Sequence, residues 1–191
     1  MKRTSVPFLL LVPSLLLLLT DACTSDPVHD GEVAALGPEA PGIPKGEYHR
    51  AGQPCLVCHG GEGPASTVFT VAGTIFAGPY NATMNNTLGV DQASAYFVDD
   101  NGAMNAATTN CVGNFWITPS TWNPAFPIIV EVFGPTGSGI PMPGHIGRTG
   151  SCATCHQDPQ SLSAVGHVYV PYTPPANATC PVNPVAGAGA L

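Results

Sequence analysis

Positive charge is scarce in this chain: five lysines and arginines stand against twelve acidic residues in 191. Beyond residue 22 only Lys45, Arg50 and Arg148 remain as cations against eleven carboxylates, a formal charge of −8. So few cations cannot neutralise a phosphate backbone, which excludes nucleic acid as a partner. Long apolar runs are also missing. The longest, Val6 to Leu19, is broken by Pro7, Pro13 and Ser14 and is too short to stay in a bilayer as a spanning helix. Glycine and proline together supply 43 residues, which excludes long helices and leaves strands, turns and ordered loops. A chain this rich in loops needs more than an apolar core to fix it.

What is present begins with a targeting segment. Met1, Lys2 and Arg3 give a positive start to the apolar run, and residues 1–22 read as an export signal. The run ends at Leu19-Thr20-Asp21-Ala22-Cys23, which resembles the site where bacterial lipoproteins are cut and acylated on the new N-terminal cysteine. Asp21 stands where a small neutral residue is usual, so simple cleavage that leaves Cys23 as a thiol is the alternative. The expectation is an exported, membrane-anchored lipoprotein on the periplasmic side of the outer membrane or at the cell surface. Residues 23–47 carry proline, glycine, alanine and acidic residues without apolar periodicity and read as a flexible tether.

Seven cysteines in an exported chain would ordinarily suggest disulfides, but four fall into two Cys-x-x-Cys-His pentapeptides. These are Cys55-Leu56-Val57-Cys58-His59 and Cys152-Ala153-Thr154-Cys155-His156. At this chain's own Cys and His frequencies, two such pentapeptides arise by chance on the order of once in ten thousand chains. The spacing suits one chemistry. Two thiols separated by two residues form thioethers to the two vinyl groups of one porphyrin, and the adjacent histidine lies under the iron. The expectation is two covalently attached c-type haems, with His59 and His156 as proximal iron ligands. A zinc site or a pair of redox dithiols is the competing reading. The 93 residues between Cys58 and Cys152 are too many for a zinc ribbon, and a dithiol needs no histidine. With Cys23 assigned to lipid, Cys111 and Cys180 are left over, and an oxidising compartment suggests a disulfide between them.

Between the motifs, Thr67 to Phe76, Ser94 to Val98, Asn114 to Thr118 and Pro127 to Phe133 are short β-branched and aromatic runs, bounded by turn residues such as Asp99-Asp100-Asn101-Gly102. They read as strands of a small antiparallel β-sandwich over 67–133. A last strand is expected at Val165 to Val170. The fold class is therefore mainly β with little helix. The sandwich is flanked by loop-rich haem-binding segments at 48–66 and 134–180, with a tail at 181–191.

Phe69-Thr70-Val71-Ala72-Gly73-Thr74-Ile75-Phe76, then Val98-Asp99-Asp100-Asn101-Gly102, then Thr109-Asn110-Cys111-Val112-Gly113-Asn114-Phe115 resembles the carboxypeptidase regulatory-like, transthyretin-like sandwich. The resemblance covers about 65 residues and implies a structural or docking module without catalytic residues. Placed between two haem motifs, it is also similar to an exported type of bacterial dihaem cytochrome.

The second axial position of each iron decides whether a haem only shuttles electrons or binds a substrate. His49-Arg50-Ala51-Gly52-Gln53-Pro54-Cys55 and His145-Ile146-Gly147-Arg148-Thr149-Gly150-Ser151-Cys152 form a weak internal repeat, which makes His49 and His145 the candidate distal ligands; an exposed loop histidine is the bland reading of each. Six extended residues reach at most about 20 Å, so the pattern does not choose between a histidine's own haem and the other one. Met142, between Pro141 and Pro143, is the alternative distal ligand, with gap-filling packing equally open to it. His167 reads as a half-buried strand residue, His29 belongs to the tether, and Met84 and Met104 sit in polar loops. The function expected from these features is electron transfer rather than enzymatic catalysis, with partners that present a basic docking face. A small peroxidase-like dihaem enzyme and a docking subunit of a surface electron-transfer complex are the alternatives.

Overall fold

In the computed structural model, the described residues are 26–79, 88–137, 139–158, 160–162, 164–175 and 177–181. The export segment, Cys23, Met84 and the tail beyond residue 181 lie outside them. The described chain is mainly β, as its composition and short apolar runs predict. Two helices, α1 (Pro27–Ala35) and α2 (Cys55–His59), precede seven strands: β1 (Val71–Thr74), β2 (Ser94–Val98), β3 (Met104–Thr108), β4 (Asn114–Ile117), β5 (Ile129–Phe133), β6 (Gly139–Pro141) and β7 (Gly150–Ser151). A 3-10 turn, Cys152–Thr154, follows β7 directly.

The strands form two sheets in the orders β3-β2-β5-β6 and β4-β1-β7. Strands β2 and β5 alternate buried and exposed residues, and their register sets Ala95 beside Val132 and Phe97 beside Val130. A two-residue period of this kind gives each strand one face to bury. Those residues meet Val71, Phe115 and Ile117 of the other sheet in one core, which Ile75, Val90, Trp122, Ile128 and Val170 complete. A turn carboxylate closes the β2–β3 connection. Asp99 accepts backbone N–H groups from Asn101 at 3.0 Å, Ala103 at 2.8 Å and Ala125 at 3.1 Å. These bonds, that from Ala125 foremost, hold its carboxyl below the ordinary range against the opposing effect of burial.

Four features depart from the sequence expectation. The pairing is not wholly antiparallel, because β7 joins β1 in parallel; with β6, it extends the sheets beyond residue 133 into the following connection. Strand β3, Met-Asn-Ala-Ala-Thr, lacks apolar alternation and is held at a sheet edge by its ladder to β2. Val165 to Val170 makes no strand, only an isolated bridge of Tyr169 to Phe76, because Gly166 turns the chain there with φ at +82°. The segment read as a tether carries α1, whose start is fixed by Asp26 accepting N–H groups of Val28 and His29 at 3.0 and 3.2 Å, with proline in the first turn. Its less exposed residues, His29 and Val33, and its C-cap Leu36 follow a spacing of four and three that places them on one helix face.

Strand β1 is buried along its whole length. Its position explains this: Val71 belongs to the core between the sheets, while α2 and the 3-10 turn after β7 both pack on the strand. The two pentapeptides, 93 residues apart in sequence, therefore sit against the same four residues.

Candidate functional site

The first pentapeptide is a single helical turn. Cys55 and Cys58 are three residues apart, which places both thiols on one side of α2. The chain then folds back over that turn: Ala65 N–H donates to Cys58 O at 3.2 Å and Phe69 N–H to His59 O at 2.8 Å. His59 Nδ1 lies 2.7 Å from Thr67 O. A carbonyl only accepts, so Nδ1 carries the proton and the lone pair is on Nε2. Phe69 stacks on the His59 ring at 4.2 Å between centroids, with planes 13° apart, and Trp116 continues the series at 5.8 Å.

The second pentapeptide repeats the arrangement on unrelated scaffolding. Cys152 follows β7, Cys155 is exposed, and His156 N–H donates to Cys152 O at 3.0 Å. His156 Nδ1 lies 2.9 Å from Gly166 O, so here too Nε2 holds the free lone pair. A backbone carbonyl that fixes ring orientation and tautomer in this way is a recurrent support for metal-ligating histidines.

A cavity of about 680 Å³ opens beside the first pentapeptide, within the range of cofactor sites. Cys55, Cys58 and His59 form one side of its lining; His49, Phe69, Ala72 and Trp116 contribute further wall, and Val33 and Leu36 bring α1 to the rim. Lys45, Arg50, Glu39 and Glu47 are its charged lining. The lining fits a porphyrin in three respects. Thiols and a histidine with an available nitrogen converge, the wall is largely apolar, and two of the chain's few cations line the cavity, where they could partner ring carboxylates.

His49 enters this cavity from a pinned loop. Asn114 Nδ2 donates to the carbonyls of His49 at 3.0 Å and Glu47 at 3.3 Å, and Asn110 Nδ2 also bonds Glu47 O at 2.7 Å. Thr74 Oγ1 accepts Gly52 N–H and donates to Asn114 Oδ1, each at 2.8 Å. The Arg50 guanidinium bonds Gly37 O at 2.8 Å, Leu36 O at 3.3 Å and Gln53 Oε1 at 2.7 Å, tying the end of α1 to the same loop. The His49 ring centroid stands 5.9 Å from that of His59, with planes 27° apart. Burial, against an opposing pull from Glu39, holds the His49 imidazole below its ordinary pKa.

The thiols bear on the competing chemistries. Burial pushes Cys55 up to about 11 and Cys152 up to about 12, and it also raises Cys58. A redox dithiol requires the opposite shift, because the thiolate is the nucleophile. Among the described residues, no three His, Cys, Asp or Glu side chains gather into a cluster able to hold a metal ion, whereas a haem iron asks for only one or two protein ligands. Helix α2 packs on both β1 and β7, and Cys152 follows β7 directly, so the two pentapeptides are neighbours in the fold.

The other singled-out residues fall elsewhere. His145 is exposed in the connection between β6 and β7, and Met142 packs against the core as a gap-filler would. His167 is buried, with Nδ1 against Asp158 and Nε2 2.7 Å from Gly78 O, and its ring lies 4.5 Å from Phe76. Cys111 and Cys180 are joined as a disulfide with Cα atoms 5.6 Å apart. Sequence reasoning missed Phe69, Trp116 and the α1 residues Val33 and Leu36 as cavity wall. Only the spacing of His29, Val33 and Leu36 could have signalled the last two. No protein-family model, no curated protein and no solved structure matches this chain.

Proposed function

We propose that the chain is a dihaem c-type cytochrome of the bacterial cell envelope that carries electrons. One observation carries the reading: two separate segments each present a Cys-x-x-Cys pair beside a histidine whose Nδ1 is tied to a backbone carbonyl. That is the donor set of a thioether-bound haem, made twice on unrelated scaffolding. Each haem, when bound, supplies an iron that cycles between two oxidation states. The chain does the rest: Cys55 and Cys58 hold one ring and Cys152 and Cys155 the other, while His59 and His156 present Nε2 to the irons. Phe69, Val33 and Leu36 keep water from the first site, and Lys45 and Arg50 offer charge to its carboxylates. The packing of both pentapeptides on β1, with α2 also against β7 just before Cys152, supports exchange of electrons between the two haems within one molecule. Acylation of Cys23 would hold the whole at a membrane.

The intact mass of the mature protein tests this directly. The expected value is residues 23–191 plus two haems and a lipid group on Cys23. A mass without haem, or a chain that carries zinc instead, would overturn the proposal. The mass of a chain cut after residue 22 without lipid would remove only the anchor.

A further inference from the structure

We infer that His49 Nε2 is the sixth ligand of the iron held by His59, which makes the first haem a six-coordinate site; this rests on the haem reading above. Spacing carries the argument. Two imidazoles bound to opposite sides of one metal ion stand about 6 Å apart between ring centres, from two metal–nitrogen bonds of about 2 Å and about 1 Å within each ring. The His49 and His59 centroids are 5.9 Å apart with planes 27° from parallel, which matches such a pair in spacing, and the final orientation is set when the His49 ring turns on losing its bond from Gly46. Both rings line the cavity that Cys55 and Cys58 also line.

The loop that carries His49 has the rigidity an axial ligand needs. Its carbonyl is held by Asn114, its neighbour Arg50 is tied to the end of α1, and Gly52 is bonded to Thr74 of β1. Bonds of this kind fix the backbone from which the ligand projects and leave only the ring itself to adjust. One bond must change. Gly46 N–H donates to His49 Nδ1 at 3.1 Å, so without metal the ring proton sits on Nε2. With haem bound, Nε2 would present its lone pair to the iron, the ring proton would reside on Nδ1 after exchange through solvent, and Gly46 N–H would bond water instead. No electron is transferred, and the imidazole stays neutral.

The rivals are placed differently. His145, its counterpart in the weak internal repeat, is exposed, and Met142 is packed against the core. His29 lies on the inner face of α1 with Nε2 buried and unpartnered, but it is not part of the cavity wall. The two haems should therefore differ: the first is closed by His49, and the upstream repeat does not supply the second in the same way.

The test uses the full haem-loaded protein, with electron paramagnetic resonance and near-infrared spectra of the oxidised form and carbon monoxide binding by the reduced form. Intact mass is taken on each sample. In His49→Ala, one haem of two should turn high-spin and bind carbon monoxide, and added imidazole should restore the low-spin signal. His49→Met should keep that haem low-spin while moving its near-infrared band to the imidazole–thioether region and raising its potential. The raised potential separates ligation from a merely structural role. Unchanged spectra in both variants with two haems present would overturn the inference, as would loss of the same low-spin signal in His29→Ala or His145→Ala. A mass without haem in the unsubstituted protein would remove the parent reading and this inference with it.

Discussion

At Cys55 and Cys152, burial acts on thiols that the proposed haem attachment would convert to thioethers, so the two states would respond differently to pH. In the haem-free chain these thiols ionise near about 11 and about 12 when folded, against about 8.5 when unfolded. Between those values the unfolded chain has lost protons that the folded chain keeps. Stability is thus full below about pH 8.5 and falls as pH rises toward the folded values. Urea midpoints measured across that range should decline for protein made without haem. The haem-bound protein should show much less decline, since thioether sulfur does not titrate. Equal decline in both would mean that these thiols are not the cause. Gly73 bears on the same sulfur. A Cβ there would sit 2.8 Å from Cys152 Cβ, 2.9 Å from Cys152 Sγ and 3.0 Å from Phe115 Cζ. Cys152 cannot easily yield, because Ser151 before it is paired with Ala72. Gly73→Ala should therefore cost about 1–3 kcal/mol, the usual range for overpacking, and lower the yield of the second haem. A denaturation midpoint and haem content equal to the parent would show that the strand gives way more readily than its pairing implies.

Among the elements, legibility followed burial pattern. Strand β2 was readable to the residue, Ser94 to Val98, because one face is buried and the other exposed. Strand β3 was not, since its stability comes from backbone pairing and its side chains carry no signal. Helix α1 was hidden for a related reason: two inward residues in nine, with the C-cap Leu36, are too few to stand out in a stretch rich in glycine, proline and acid. The cavity was half legible. The pentapeptides announce themselves by spacing, whereas Phe69, Trp116 and Leu36 reach the site only through the fold. Arg50 joins these parts, and its loss tests whether α1 belongs to the folded unit. Its guanidinium bonds two carbonyls at the end of α1, with Glu39 at 3.9 Å. Partly exposed charge-assisted bonds of this kind contribute about 1–2 kcal/mol. Arg50→Ala should open α1 locally, seen as faster amide exchange over residues 27–37 and earlier proteolysis there, with exchange in β2 and β5 unchanged. Unaltered protection of α1 would mean that packing of Val33 and Leu36 alone holds it.

Over the whole molecule, β1 is the strand on which the first pentapeptide, the second pentapeptide and the sandwich core converge, and the Cys111–Cys180 disulfide closes the remaining circuit. Cys111 sits beside Asn110, whose side chain supports the loop of His49 through Glu47 O, while Cys180 lies 69 residues on, past the second motif. The cross-link thus ties the chain beyond the second motif to the support of the first site. A loop of that length, when closed, removes about 4 kcal/mol of chain entropy from the unfolded state. The variant with both Cys111 and Cys180 changed to Ser should lose stability of that order, and the loss should be smaller if the haems already restrain the unfolded chain. Thiol counts separate the cases. With four cysteines bound to haem, Cys23 acylated and this disulfide formed, unfolded unreduced protein should titrate no thiol, and reduction should release two. One thiol before reduction would point to an unacylated Cys23. Two that do not increase on reduction would show that Cys111 and Cys180 are unbonded, and the support of the His49 loop would then rest on the hydrogen bonds of Asn110, Asn114, Arg50 and Gly52.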